Sequence, residues 1–193
     1  MGIISKTTTP NCIIAIWKIT ETLEELLQLS HIIISPNFNT KKRKKEWIAS
    51  RLLLNEINPN YSISYNEFGA PELNNGSYIS ISHSKGLVAI IISQQQVGLD
   101  IEEISGKALR VSSKFISTNN LKALTAEKAT LIWCCKEAVF KWHQKGKVDF
   151  IADIKLHPFE SMKKGCITAE FRNTQLILNY QKIHNHYLVY VCK

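Results

Sequence analysis

The sequence predicts an α+β protein of two similar halves, each with a small, mainly antiparallel sheet packed on a long helix. Three observations carry this reading. Apolar residues recur at helical spacing in two long segments, one in each half of the chain. Short β-branched runs bounded by turn residues follow each segment. A polar, small-residue stretch between Glu102 and Leu121 separates the two sets and divides the chain into residues 1–104 and 105–193. No residue-level repeat is visible, and only the order of elements is echoed.

In chain order, Cys12 to Ile19 reads as a buried strand and Glu21 to Leu29 as a helix, with Thr20 in N-cap position. Lys41 to Leu54 reads as a second helix. Its five consecutive basic residues lead into Trp47, Ile48, Leu52 and Leu53 at helical spacing. Asn66 to Gly76 is rich in turn residues. Tyr78 to Ser82, Leu87 to Ser93 and Val97 to Ile101 then read as a three-stranded antiparallel meander. A long helix from Thr125 to about Gln144 carries Leu131, Cys135, Ala138, Val139 and Trp142 on one stripe, and Gly146 ends it. Ile151 to Leu156, Cys166 to Phe171, Leu176 to Leu178 and Tyr187 to Cys192 complete the strands.

With 193 residues and 45% apolar composition, the chain can bury a sizeable core. The balance of 24 Lys+Arg against 16 Asp+Glu, a net charge of +8, favours anionic partners. Five cysteines with no C-x-x-C pair argue against a disulfide framework or a zinc site and for buried, reduced thiols. No stretch has the pattern of a secretion signal, a lipidation site or a membrane span. These features predict a soluble, cytoplasmic protein. The basic run comes without the signatures of zinc-finger or RNA-recognition modules, so no nucleic-acid partner is expected.

Three segments carry the chemistry. In Val97-Gly98-Leu99-Asp100-Ile101-Glu102, strand alternation puts Asp100 and Glu102 on the face opposite Val97, Leu99 and Ile101. Two acids about 7 Å apart on a strand repel unless a cation lies between them, and oxygen ligands suit Mg²⁺ or Mn²⁺. In the long helix, Trp133, Glu137 and Lys141 share a face at i, i+4 and i+8, a spacing that also serves as an ordinary helix-stabilising pair. In Ser80-Ile81-Ser82-His83-Ser84-Lys85-Gly86, hydroxyls, an imidazole and an ammonium gather near a glycine, a set suited to phosphate.

Taken together and in this order, the three segments resemble the 4'-phosphopantetheinyl transferase superfamily. Its members carry Ser-His-Ser, then Gly-hydrophobic-Asp-hydrophobic-Glu, then Trp-x-x-Lys-Glu-Ala with a Lys four residues after the Glu. The chain length is similar to the monomeric, two-halved, surfactin-synthetase-activating type, whose active site lies between the halves. The resemblance implies transfer of the 4'-phosphopantetheine arm of coenzyme A to a serine of an apo acyl or peptidyl carrier protein, releasing 3',5'-ADP. It implies Asp100, Glu102 and Glu137 as ligands of Mg²⁺ or Mn²⁺. Lys136 and Lys141 would stand near the pyrophosphate, and Ser82, His83, Arg43 and Arg51 on the cofactor side. Glu137, directly or through a metal-bound water, would take the serine proton. Lys41 to Lys45 stay open between cofactor binding and carrier docking. Gly69-Ala70-Pro71 stands where many relatives have Gly-Lys-Pro or Gly-Arg-Pro, and Asn120 where relatives often place a Glu. A relative that binds coenzyme A or a carrier without transfer is the alternative reading.

Overall fold

The computed structural model describes residues 2–30, 38–117 and 124–193. The expected Asn120 departure and the end of the polar dividing stretch lie outside these residues. The first half contributes β1 (Ile3–Thr8), β2 (Ile13–Lys18), α1 (Leu23–Leu29), α2 (Lys41–Ile57), β3 (Ile63–Tyr65), β4 (Pro71–Leu73), β5 (Tyr78–Ser84) and β6 (Leu87–Ser93). Then follow β7 (Val97–Glu103), α3 (Gly106–Arg110), a 3-10 turn at Ser112–Lys114, α4 (Ala126–His143), β8 (Ile154–Leu156), β9 (Lys164–Phe171), β10 (Thr174–Ile183) and β11 (His186–Cys192). The strands form two antiparallel sheets, ordered β1-β2-β6-β5-β4-β3 and β7-β11-β10-β9-β8.

Strand alternation gives each sheet two apolar faces, and the result is four layers. Ala15, Trp17, Val88, Ile90 and Ile92 pack under α2 through Ala49, Leu53 and Leu54. On the opposite face, Ile14, Ile16, Ala89 and Ile91 meet Val97, Leu99, Ile101 and Leu188 of the second sheet. The far side of that second sheet buries Ile167, Ala169, Leu176, Leu178 and Val189 against Leu131, Cys135, Ala138 and Val139 of α4. The helical stripe predicted in α4 is therefore its core face. Gly98 lets α4 lie directly on β7, since a Cβ there would fall on the Ala138 carbonyl oxygen and 2.5 Å from Trp142 N.

Several expectations are corrected. The three-stranded meander does not form: β5 and β6 pair through a two-residue turn at Lys85 and Gly86, both at positive φ, but β7 crosses to the second sheet and pairs with β11. Its apolar face is what drives this, because Val97, Leu99 and Ile101 cover the open face of the first sheet rather than extending its edge. β7 thus precedes residue 104 in the chain while belonging to the ladder of the later strands. The cap of α1 is Thr22, not Thr20, because Glu25 three residues on completes a capping box, whereas Glu21 turns to the Trp17 indole. α4 ends at Gln144, which takes the left-handed conformation itself, two residues before Gly146. The turn-rich segment from Asn66 to Gly76 contains the strand β4, and β1 and β3 also lie outside the expected strands. Cys166 is exposed, because alternation along β9 points it outward; Cys12, Cys134 and Cys135 are buried, and all five thiols are free. Among the described residues, no helix is long and apolar enough to cross a membrane.

Candidate active site

Asp100 and Glu102 leave β7 on the side facing α4, and neither sits on a solvated outer face. Asp100 is only 3% exposed. Its Oδ1 accepts from Ser82 Oγ at 2.7 Å and from Lys141 Nζ at 2.7 Å, while its Oδ2 is buried with no hydrogen-bond partner. Glu102 accepts from Trp133 Nε1 at 3.3 Å through Oε1 and from Ser84 Oγ at 3.1 Å through Oε2. Burial, and then the neighbouring Asp100 charge, raise the pKa of Glu102. Burial raises Glu137 further, to about 7, with Asp100 and Glu102 adding repulsion against the opposing pull of Lys141. Trp133, Glu137 and Lys141 therefore do present one face of α4 to the two β7 acids.

Glu102 and Glu137 are thus both raised by burial and by like charge, beside a buried Asp100 oxygen that has no hydrogen-bond partner. Among the described residues, no group of three or more His, Cys, Asp or Glu side chains closes on a common metal position. The Lys141 ammonium lies on Asp100 instead. The donors are all oxygen, which fits a hard divalent cation.

A cleft of about 400 Å³ adjoins this cluster and is lined by Arg43, Arg51, His83 and Lys141, with Ala70 on its rim. Arg51 has its guanidinium carbon 4.1 Å from the Trp47 ring centre and 5.8 Å from that of Tyr65. Its hydrogen bonds to Ser50 Oγ at 2.8 Å and Tyr65 Oη at 2.6 Å fix the fork in place. A planar cation on an aromatic wall suits a flat, anionic ligand. His83 Nδ1 lies 3.3 Å from Glu46 Oε2; partial burial lowers its pKa, Glu46 opposes this, and Lys141 and Arg43 add to it. Asn66 ties the loop that lines the cleft to the end of α4. It binds its own loop through the Phe68 and Ala70 amides and reaches the Gln144 carbonyl at the end of α4.

Two expected site residues stand apart from the cleft. Lys136 is on another face of α4, buried, where it donates to the carbonyls of Phe150 and Ile154 (2.6 Å to the latter), and burial lowers its pKa to about 8. Ser82 faces β7 rather than the cleft's open space. Conversely, Glu46 and Tyr65 line the cleft and stand in none of the three segments that carry the chemistry. The pairing of Trp47 with Arg51 at i, i+4 was a usable signal, although Trp47 read as core. For Glu46 the sequence shows only the i, i+4 pair with Lys42, 3.7 Å away; its contact with His83, on a distant strand, is long-range.

A family model described as the 4'-phosphopantetheinyl transferase superfamily matches residues 96–192, from β7 to β11. The chain is similar to the 4'-phosphopantetheinyl transferase gsp of Aneurinibacillus migulanus, at 32% identity over 101 residues. That match covers 49% of this chain and 43% of the relative, so the chain spans under half of that protein's length in the comparison. The matched region contains Asp100, Glu102, Glu137 and Lys141, the residues of the frustrated cluster. With this match over half of the chain, the protein belongs to the 4'-phosphopantetheinyl transferase superfamily.

Proposed function

We propose that this chain transfers the 4'-phosphopantetheine arm of coenzyme A to a serine of an apo acyl or peptidyl carrier protein. The observation that carries the reading is that Lys141, which lines a cationic, aromatic-walled cleft, is hydrogen-bonded to Asp100 of the buried acid cluster. Arg43, His83 and the stacked Arg51 suit the 3'-phosphate and adenine of the cofactor. Lys141 donates one N–H to Asp100 and keeps two N–H donors for phosphate oxygens. In the reaction, the serine oxygen bonds to the phosphorus that bears pantetheine and the bond from that phosphorus to the bridging oxygen breaks. The electron pair leaves on 3',5'-ADP. Glu137, with a pKa of about 7, is matched to accepting the serine proton near neutral pH.

Asp100, Glu102 and Glu137 would hold Mg²⁺ or Mn²⁺, and the orphaned Asp100 Oδ2 supports that assignment. When bound, the ion supplies counter-charge to the pyrophosphate. The net charge of +8 suits an acidic carrier surface, and we take the chain to act as a monomer in the cytoplasm.

The test is mass spectrometry of an apo carrier incubated with the purified chain, coenzyme A and Mg²⁺. We expect the carrier to gain the arm, and Asp100→Ala and Glu137→Ala each to lose at least about 100-fold in rate. Unchanged rates in both variants would discard the metal assignment. Tight coenzyme A binding without a modified carrier would instead support a binding-only relative.

A further inference from the structure

Ser80, Ser82 and Ser84 occupy alternate positions of β5 and all face β7. β7 is the last strand of its sheet, so on that side the N–H groups of Leu99, Ile101 and Glu103 meet no neighbouring strand of their own sheet. Serine hydroxyls accept them instead, at 3.0, 3.3 and 3.0 Å. The onward protons differ. Ser82 donates to Asp100 Oδ1 at 2.7 Å and Ser84 to Glu102 Oε2 at 3.1 Å, whereas Ser80 reaches only the Leu99 carbonyl, at 3.5 Å. The same backbone tie is thus made three times, and only two of the three also hold a carboxylate.

We propose that Ser82 and Ser84 are positioning residues that orient Asp100 and Glu102 to receive a divalent cation, and that Ser82 makes no donor contact to the cofactor. This rests on the reading of the acid cluster as a cation site. A hydroxyl has one proton, and that of Ser82 is given to Asp100. Phosphate oxygens of coenzyme A at neutral pH need donors, so Ser82 can satisfy them only by releasing the acid. With Oδ1 held by Ser82 and Lys141, it is Oδ2 that stays free for the ion. Partners that orient metal ligands in this way typically change metal affinity by about 10 to 100-fold when removed.

The experiment compares Mn²⁺ binding, by electron paramagnetic resonance on the purified chain without substrates, in Ser80→Ala, Ser82→Ala, Ser84→Ala and Ser84→Thr. Coenzyme A binding is measured alongside by calorimetry. Ser82→Ala and Ser84→Ala are expected to weaken Mn²⁺ binding by about 10-fold or more. Ser80→Ala, which loses only a backbone tie, and Ser84→Thr, which keeps the hydroxyl, are expected to stay within about twofold of the unaltered chain. Coenzyme A affinity in Ser82→Ala should be unchanged. Equal Mn²⁺ binding across all variants would overturn the proposal, as would weakened coenzyme A binding in Ser82→Ala with Mn²⁺ binding intact. An unaltered chain that binds no Mn²⁺ removes the cation site and the proposal together. Intact Mn²⁺ binding with no carrier modification counts against the transfer reading alone.

Discussion

Glu137 is the residue at which burial and like charge act most openly on one group. Its folded pKa of about 7 lies above the ordinary value of 4.5, so between those values the folded chain holds a proton that the unfolded chain has released. Stability from this group is therefore fully present below about pH 4.5 and is lost as pH rises from there through about 7. Three histidines, His83, His143 and His186, are shifted downward chiefly by burial and act in the opposite sense over part of that range. The difference between the chain and Glu137→Gln isolates the acid. In metal-free buffer with chelator, urea unfolding should find the variant more stable at pH 8 by roughly 1 to 3 kcal/mol, and nearly equal at pH 5. A constant difference across pH would show that the carboxylate is not strained. Added Mg²⁺ should recover the lost stability in the unaltered chain and leave the variant largely unmoved.

At the scale of elements, α4 against β7 is the contact that makes the site, and it hangs on Gly98. Gly98→Ala would drive a Cβ into the backbone of α4 on a strand that the first sheet holds from the other side. Neither neighbour can give way cheaply, so a loss of at least about 2 kcal/mol and a fall in Tm are expected, with Asp100 displaced and transfer lost. Lys136→Met tests the tie between α4 and the segment that follows it. It leaves the carbonyls of Phe150 and Ile154 without their donor, and should destabilise by roughly 1–3 kcal/mol while leaving coenzyme A affinity unchanged. A weakened coenzyme A affinity at full stability would return Lys136 to the cofactor. The local signals were legible in the sequence. Alternation in Val97 to Glu102 separated the acids from the core, and the spacing of Trp133, Glu137 and Lys141 marked one helix face. What stayed hidden was long-range. Gln94-Gln95-Gln96 reads as a hairpin loop, yet it carries the chain to another sheet, and no periodicity says which strand an edge will meet. Alternating serines define a face, but not that β7 backbone lies against it. Lys136 and Lys141 are both lysines of one motif, and only the packing of the Phe150 loop shows that the first is turned inward.

On the scale of the molecule, the site exists because two sheets share a face. Apolar contacts across that face join Ile14, Ile16, Ala89 and Ile91 to Leu99, Ile101 and Leu188, and the serine row closes the open edge of β7. Separating the halves would expose this core and leave three β7 amides without their acceptors, a polar loss added to a hydrophobic one. The two cleft walls have the same dependence, with Arg43 and Arg51 on α2 and Lys141 on α4. The architecture therefore predicts one cooperative unfolding unit rather than two semi-independent halves. Hydrogen exchange read by mass spectrometry along a urea titration distinguishes these cases, since β2 and β6 report the first sheet and β9 and β10 the second. Protection in both sets is expected to disappear at the same urea concentration. Midpoints that separate would mean that each half keeps its own core through α2 or α4, and that the shared face is a docking contact between two folding units. Ser80→Ala sharpens the comparison, because it removes a seam bond without touching either helix-facing core: in a single unit it lowers both midpoints equally.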